Sequence, residues 1–203
     1  MTLTEYFGRH LNGAWQLLRG NEQGLEAFDL SPEGFYRSFW AIAVAFALLV
    51  PIFIADHGIG VAFAAETTEV RFAMPLSVYV PTEVFVAAAG WAIFLVLMRS
   101  AAQIFGVGGR YSVFVIAYNW SSLLIVCLSL PLATAQLGGL TTWEVNLAIQ
   151  FTLGLIFLVY SWFVARTALG LSGLDAAAVV ALEILIVLLL AYPTEAFYAQ
   201  FGA

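Results

Sequence analysis

The chain has 203 residues, of which 63% are hydrophobic and 10% charged, with a formal net charge of −6 at pH 7. That balance lies far outside the usual range of soluble globular domains. It also excludes a nucleic-acid partner, since the 7 basic residues are scattered arginines that form no patch, while the single Cys127 excludes an internal disulfide and a cysteine-based metal site.

Residues 1–30 carry Glu5, Arg9, Arg19, Glu22, Glu26 and Asp29 and lack a continuous apolar core, so no cleavable signal peptide is expected there. On a helical wheel Leu3, Phe7, Leu11, Ala14, Trp15 and Leu18 share one face, opposite Glu5, Arg9, Asn12, Gln16 and Arg19. Thr2 and Glu5 have the spacing of a capping box. The pattern predicts an amphipathic helix in the headgroup region, with Phe7 and Trp15 as interfacial anchors. Its alternative is a helix packed on the protein's own loops or on a partner. Gly20 to Gly24 reads as a break.

Residues 31–203 then read as a transmembrane domain. A crossing needs about 20 apolar residues, and charge-poor runs of that length occupy Ser38 to Ala55, Val80 to Met98, Ser112 to Leu132, Val145 to Ala165 and Ala176 to Tyr192. Ser31-Pro32-Glu33 opens the first with an N-cap, a first-turn proline and an acid at the positive dipole end. Pro51 is tolerated within a membrane helix. The connection from Asp56 to Val80 is long, and its apolar stretch from Met74 to Val80 leaves a short re-entrant or surface segment open. Pro81-Thr82-Glu83 is expected to open the second span, which places Glu83 in a first turn. Thr141 with Glu144, and Ser172 with Asp175, have capping-box spacing before the last two spans, and Pro193 is expected to close the chain's final helix.

The arginines orient these spans. Arg9, Arg19, Arg37, Arg99, Arg110 and Arg166 fall on one side and Arg71 on the other, which predicts a cytoplasmic N-terminus and an external C-terminus. Asp56, Glu66 and Glu69 make the first external loop acidic. Arg99 and Arg110, in a glycine-containing inner loop, are candidate contacts for anionic lipid headgroups. The absence of lysine beside abundant alanine and glycine points to a GC-rich bacterial genome and an inner membrane.

Ionisable groups within a bilayer are functional candidates by default. Glu183 lies about 10 Å past the inner start of the last span, and Asn119, Ser122, Tyr160 and Ser161 fall at nearly the same depth. These five residues form a candidate polar cluster, with Glu183 bonded to Asn119 or a hydroxyl. It serves either as interhelical glue or as an ion or proton site.

Enzyme signatures fail. Gly170-Leu171-Ser172-Gly173 matches the GxSG string of rhomboid-type intramembrane proteases, but a serine nucleophile needs a base. The only histidines, His10 and His57, lie on opposite sides of the membrane. Ser172 reads instead as an N-cap, and no cofactor or metal motif is found.

Two segments carry a family resemblance: FGVGGRYSVFVIAYNW, Phe105 to Trp120, and ARTALGLSGLDAAAVVALEILIVLL, Ala165 to Leu189. With the other spans, they make Phe35 to Tyr192 resemble the Yip family of five-helix membrane proteins, whose eukaryotic members interact with Rab GTPases. The resemblance implies five crossings, an inside N-terminus and a membrane-organising or adaptor role, and it transfers no functional residue. The expected fold is thus all-α and polytopic. The expected function is a non-enzymatic scaffold, adaptor or accessory subunit that works through lipid contacts and helix packing with itself or another membrane protein. The small residues Ala87 to Gly90, Ala176 to Ala178 and Ala181 would permit close helix approach. The alternative is a small transporter or channel using Glu183 and Asn119, which predicts a water-lined path and a pair of discontinuous helices.

Overall fold

The computed structural model describes residues 2–62 and 70–201. Its helices are α1 (Leu3–Leu18), α2 (Pro32–Ala62), α3 (Leu76–Ile104), α4 (Tyr111–Leu137), α5 (Trp143–Leu169) and α6 (Gly173–Phe201), with 3-10 turns at Glu22–Ala27, Val70–Ala73 and Gly108–Arg110. Helices α2 to α6 are each long and apolar enough to cross a bilayer, so the protein is an all-α polytopic membrane protein. Even the shortest of these five spans about 40 Å, more than about 30 Å of hydrocarbon requires.

Several ends follow the sequence signals. Thr2 Oγ1 accepts from the Glu5 N–H at 3.2 Å while Glu5 Oε2 accepts from the Thr2 N–H at 2.7 Å, completing the capping box of α1. Ser31 Oγ accepts from the Gly34 N–H at 3.0 Å and starts α2. Ser172 Oγ accepts from the Asp175 N–H at 3.2 Å and donates to its carboxylate at 2.7 Å, the role expected of an N-cap.

Other ends differ. The cap of α5 is Thr142, whose hydroxyl accepts from the Val145 N–H at 3.4 Å, and not Thr141. Helix α3 begins at Leu76 behind Pro75, so residues 76–80 of the stretch from Met74 are its start and not a re-entrant segment; Pro81 and Glu83 lie inside the helix. Likewise α6 runs through Pro193 to Phe201. A proline removes one backbone donor, and here the apolar run continues on both sides of it; Thr194 Oγ1 donates to the Leu190 carbonyl at 2.7 Å beside the break. Asp56 belongs to α2, and Glu66 and Glu69 lie outside the described residues.

The centre of the bundle is α4. Half of its apolar window is buried (50%), against 11% for both α3 and α5. Helices α2, α3, α6 and α5 follow one another around it, and α1 packs on α4 and α5 to close the ring. Helix α2 approaches α4 most closely, through the buried small residues Ser38, Ala41 and Ala45 at helical spacing, while Gly34 lies against Asp29. By contrast α6 lies next to α3 and α5 without packing closely on α4. One end of the bundle carries Arg99, Arg110 and Arg166 and the other carries Asp56, Arg71 and Glu195; they are called here the arginine end and the acidic end.

Helix α1 belongs to the same core. Its buried face is Tyr6, His10, Gly13, Ala14 and Leu17, rotated from the expected apolar face, while Leu3 is 76% and Trp15 43% exposed. Phe7 meets the Trp120 ring edge-on at 5.0 Å, so its contact is internal, and Trp15 alone of the two expected anchors projects outward. The rotation follows from Gly13 and Gly24, whose backbones touch so closely that a Cβ on either would meet the other's carbonyl oxygen.

His10 locks this arrangement. Its Nδ1 contacts the Tyr6 carbonyl at 2.7 Å, and Nε2 accepts from the Asp29 N–H at 3.0 Å, which fixes the neutral, Nδ1-protonated tautomer. The ring lies 4.6 Å from Trp120. Burial, the largest cause, and nearby Arg9 push its pKa below the ordinary value, against opposing effects of the Tyr6 carbonyl and Asp29. A histidine with a depressed folded pKa stabilises above its unfolded pKa, about 6.5, and that contribution is lost as pH falls below it. Hydrogen exchange of the α1 amides, corrected for intrinsic rates, should therefore accelerate between pH 7.5 and pH 5.5. His10→Gln should abolish that pH dependence.

Candidate functional site

One turn of α4 directs four side chains to different neighbours. Successive residues on a helix point about 100° apart, and Tyr118, Asn119, Trp120 and Ser121 accordingly reach α6, α2 with α3, α1, and α5. Tyr118 donates to Glu183 Oε1 at 2.8 Å. Asn119, fully buried, donates to Ser38 Oγ at 2.9 Å and accepts from Trp91 Nε1 at 3.2 Å. Trp120 packs on Tyr6, Phe7 and His10. Ser121 accepts from the Tyr160 hydroxyl at 2.8 Å, and that hydroxyl also lies 2.8 Å from the Ala14 carbonyl of α1.

The five-residue cluster expected from depth therefore divides. Glu183, Ser122 and Ser161 surround Tyr118: Ser122 donates to the Tyr118 carbonyl at 2.8 Å, and Ser161 stands beside the Glu183 carboxyl. Asn119 and Tyr160 belong to two other networks, and Glu183 is not bonded to Asn119. Depth along a helix follows from counting residues, whereas azimuth depends on which neighbour stands where. Ser38, Trp91, Tyr118 and Ser121 were missed, although each lies within one turn of a residue that was singled out or at a matching depth.

A tyrosine hydroxyl recurs as the partner of three half-buried carboxyls. Besides Tyr118 and Glu183, Tyr198 donates to Glu83 Oε1 at 2.9 Å and Tyr79 donates to Asp56 Oδ2 at 2.9 Å. The latter two pairs meet at the acidic end, where Tyr79 and Tyr198 stack at 6.2 Å within a small core that includes Phe72 and Met74. Glu83 is thus held by a side chain that exists at this place only because α6 continues past Pro193.

The gap between α4 and α6 is a cavity of about 440 Å³, lined on its other sides by α2 and α3. Glu183, Tyr118 and Ser122 line its deeper part and Arg71, Glu83 and Glu195 its acidic end, with Phe46, Trp91 and Phe94 among the walls. On its opposite side Glu183, with Ser161, lines a groove between α4, α5 and α6. The carboxyl is therefore a partition between this half-open cavity and the groove beside α5. None of the five spanning helices is interrupted over its described length, so the discontinuous pair expected of the transporter reading is not found there.

At the arginine end, Arg110 is occupied by the protein itself. Its Nε donates to the Ala168 carbonyl at 2.9 Å and Nη2 to the Thr167 carbonyl at 3.1 Å, satisfying the terminus of α5 where Gly170 turns at φ +72°. Arg99, the other residue of the pair, is exposed. His10 and His57 lie at opposite ends, the latter with Nε2 2.7 Å from the Met74 carbonyl.

A double-mutant cycle of Tyr118→Phe and Glu183→Leu should give a coupling of about 0.6–2 kcal/mol in reversible unfolding, the range of interhelical hydrogen bonds in membranes. Additive effects would show that the two side chains do not cooperate. No protein-family model, curated protein or solved structure matches this chain.

Proposed function

We propose that the protein is a non-enzymatic scaffold or accessory subunit of the bacterial inner membrane, with its arginine end in the cytoplasm and its partner another integral membrane protein or a second copy. The distant kinship with the Yip family, on the layout of Phe105 to Trp120 and Ala165 to Leu189, is part of the same proposal.

The observation that carries it is the outer face of α6. Ala177 and Ala181, one turn apart, are exposed there between Leu174, Leu185 and Leu188, while Ala176 is buried in the protein's own core. Lipid tails are as apolar as leucine, so helices associate in a bilayer where small residues let backbones approach. Of the small residues noted in the sequence, those of α3 are half-buried within the chain, and Gly90 faces Leu190 of α6. The α6 face is therefore the part available to a partner, and the polar groups of the α4 turn support the same role by joining helices to one another.

Extraction in mild detergent followed by native mass spectrometry should give an assembly larger than the monomer. Ala181→Trp should reduce it to the monomer, and Val159→Trp, on the exposed face of α5, should leave it intact. A monomeric wild type, or an assembly indifferent to Ala181→Trp, would overturn the proposal.

A further inference from the structure

The scaffold role leaves the cavity between α2, α3, α4 and α6 unused. Its long direction follows the helices, since Glu183 and Glu195, both lining it, are separated by about 18 Å at 1.5 Å per residue. The volume of about 440 Å³ is that of a small-ligand pocket.

Three features define what would fit. Aromatic rings of Phe46, Trp91, Phe94 and Tyr118 form much of the wall, and rings of this kind attract a desolvated cation through their faces. Glu183 supplies the one carboxyl in the deeper part, oriented by the Tyr118 hydroxyl at 2.8 Å. At the acidic end Glu83 and Glu195 outnumber Arg71, so approach from that side favours positive charge. The remaining lining is mostly aliphatic, with Phe53 and the hydroxyls of Ser122 and Thr194, which disfavours a strongly hydrated ion and suits an apolar body. Among the described residues no group of side chains is arranged to hold a metal ion.

We infer that this cavity is a binding site for a lipophilic organic cation, its charge set against Glu183 and its apolar body against the aromatic wall. An isosteric anion would meet the same wall with the wrong sign at Glu183. That pairing of shape and charge separates specific occupancy from partition into lipid.

Tetraphenylphosphonium and tetraphenylborate provide the test. Equilibrium dialysis against the full chain in nanodiscs of zwitterionic lipid, with empty nanodiscs as the blank, should give saturable binding of the cation and none of the anion. Glu183→Gln, which keeps an acceptor for Tyr118, should weaken the affinity at least tenfold. Ala87→Phe, which fills the cavity from α3 and leaves Glu183 in place, should abolish binding while the melting temperature stays near that of wild type. Should Glu183→Gln fail to fold, Ala87→Phe decides the matter. Absence of saturable binding to wild type, equal binding of the anion, or unchanged binding in a folded variant of either kind would overturn the assignment.

Discussion

A polar group on a helix surrounded by lipid and by other helices has no water to bond, and it must find a partner on a neighbour. In α4 this constraint falls on Tyr118, Asn119 and Ser121, with Trp120 between them filling the space towards α1. Because each step along the helix turns by about 100°, satisfying these residues assigns a helix to each side of α4. The order α6, α3, α2, α1, α5 around the bundle is the order in which that single turn points. Burial of apolar surface does not distinguish such arrangements within a bilayer, where lipid is an equally good solvent; directional hydrogen bonds and close backbone approach do.

The same centre explains where the protein is not packed. Helix α4 leans on α2, whose Ser38, Ala41 and Ala45 admit it closely, and so stands away from α6. Tyr118 and Glu183 bridge the resulting space, and the cavity is what the bridge leaves on its α2 and α3 side. At the acidic end two further tyrosines donate to Glu83 and Asp56, so that each of these three half-buried carboxyls meets a phenolic hydroxyl. A hydroxyl serves both ionised and protonated carboxyl groups as a donor. It positions the acid without adding a counter-charge, which leaves Glu183 able to respond to a cation.

Much of this frame was legible in the sequence. Run length gave the five spans, and Thr2 with Glu5, Ser31 and Ser172 with Asp175 marked starts that the backbone uses. The prolines misled at Pro81, read as a helix start, and at Pro193, read as a helix end, because both lie inside helices that continue on either side of them. Helix α1 was read by its largest apolar residues, whereas its contact face was set by two glycines and a histidine that a hydrophobicity wheel ranks low. Glu183, Asn119 and Tyr160 were singled out together by depth, yet they serve three separate networks, since residue counting gives height and says nothing of direction until the neighbours are known.

The most direct test of the α4 centre is the unfolding free energy of Asn119→Leu in bicelles, with hydrogen exchange of α2 and α3 measured on the same sample. Asn119 is fully buried and makes the bonds to both helices. Its loss strands the Trp91 indole N–H and leaves Ser38 only its bond to the Phe35 carbonyl, so the expected result is a decrease of about 1–3 kcal/mol with faster exchange in both helices. Wild-type stability, or a loss that leaves exchange in α2 and α3 unchanged, would contradict the central role assigned to this turn.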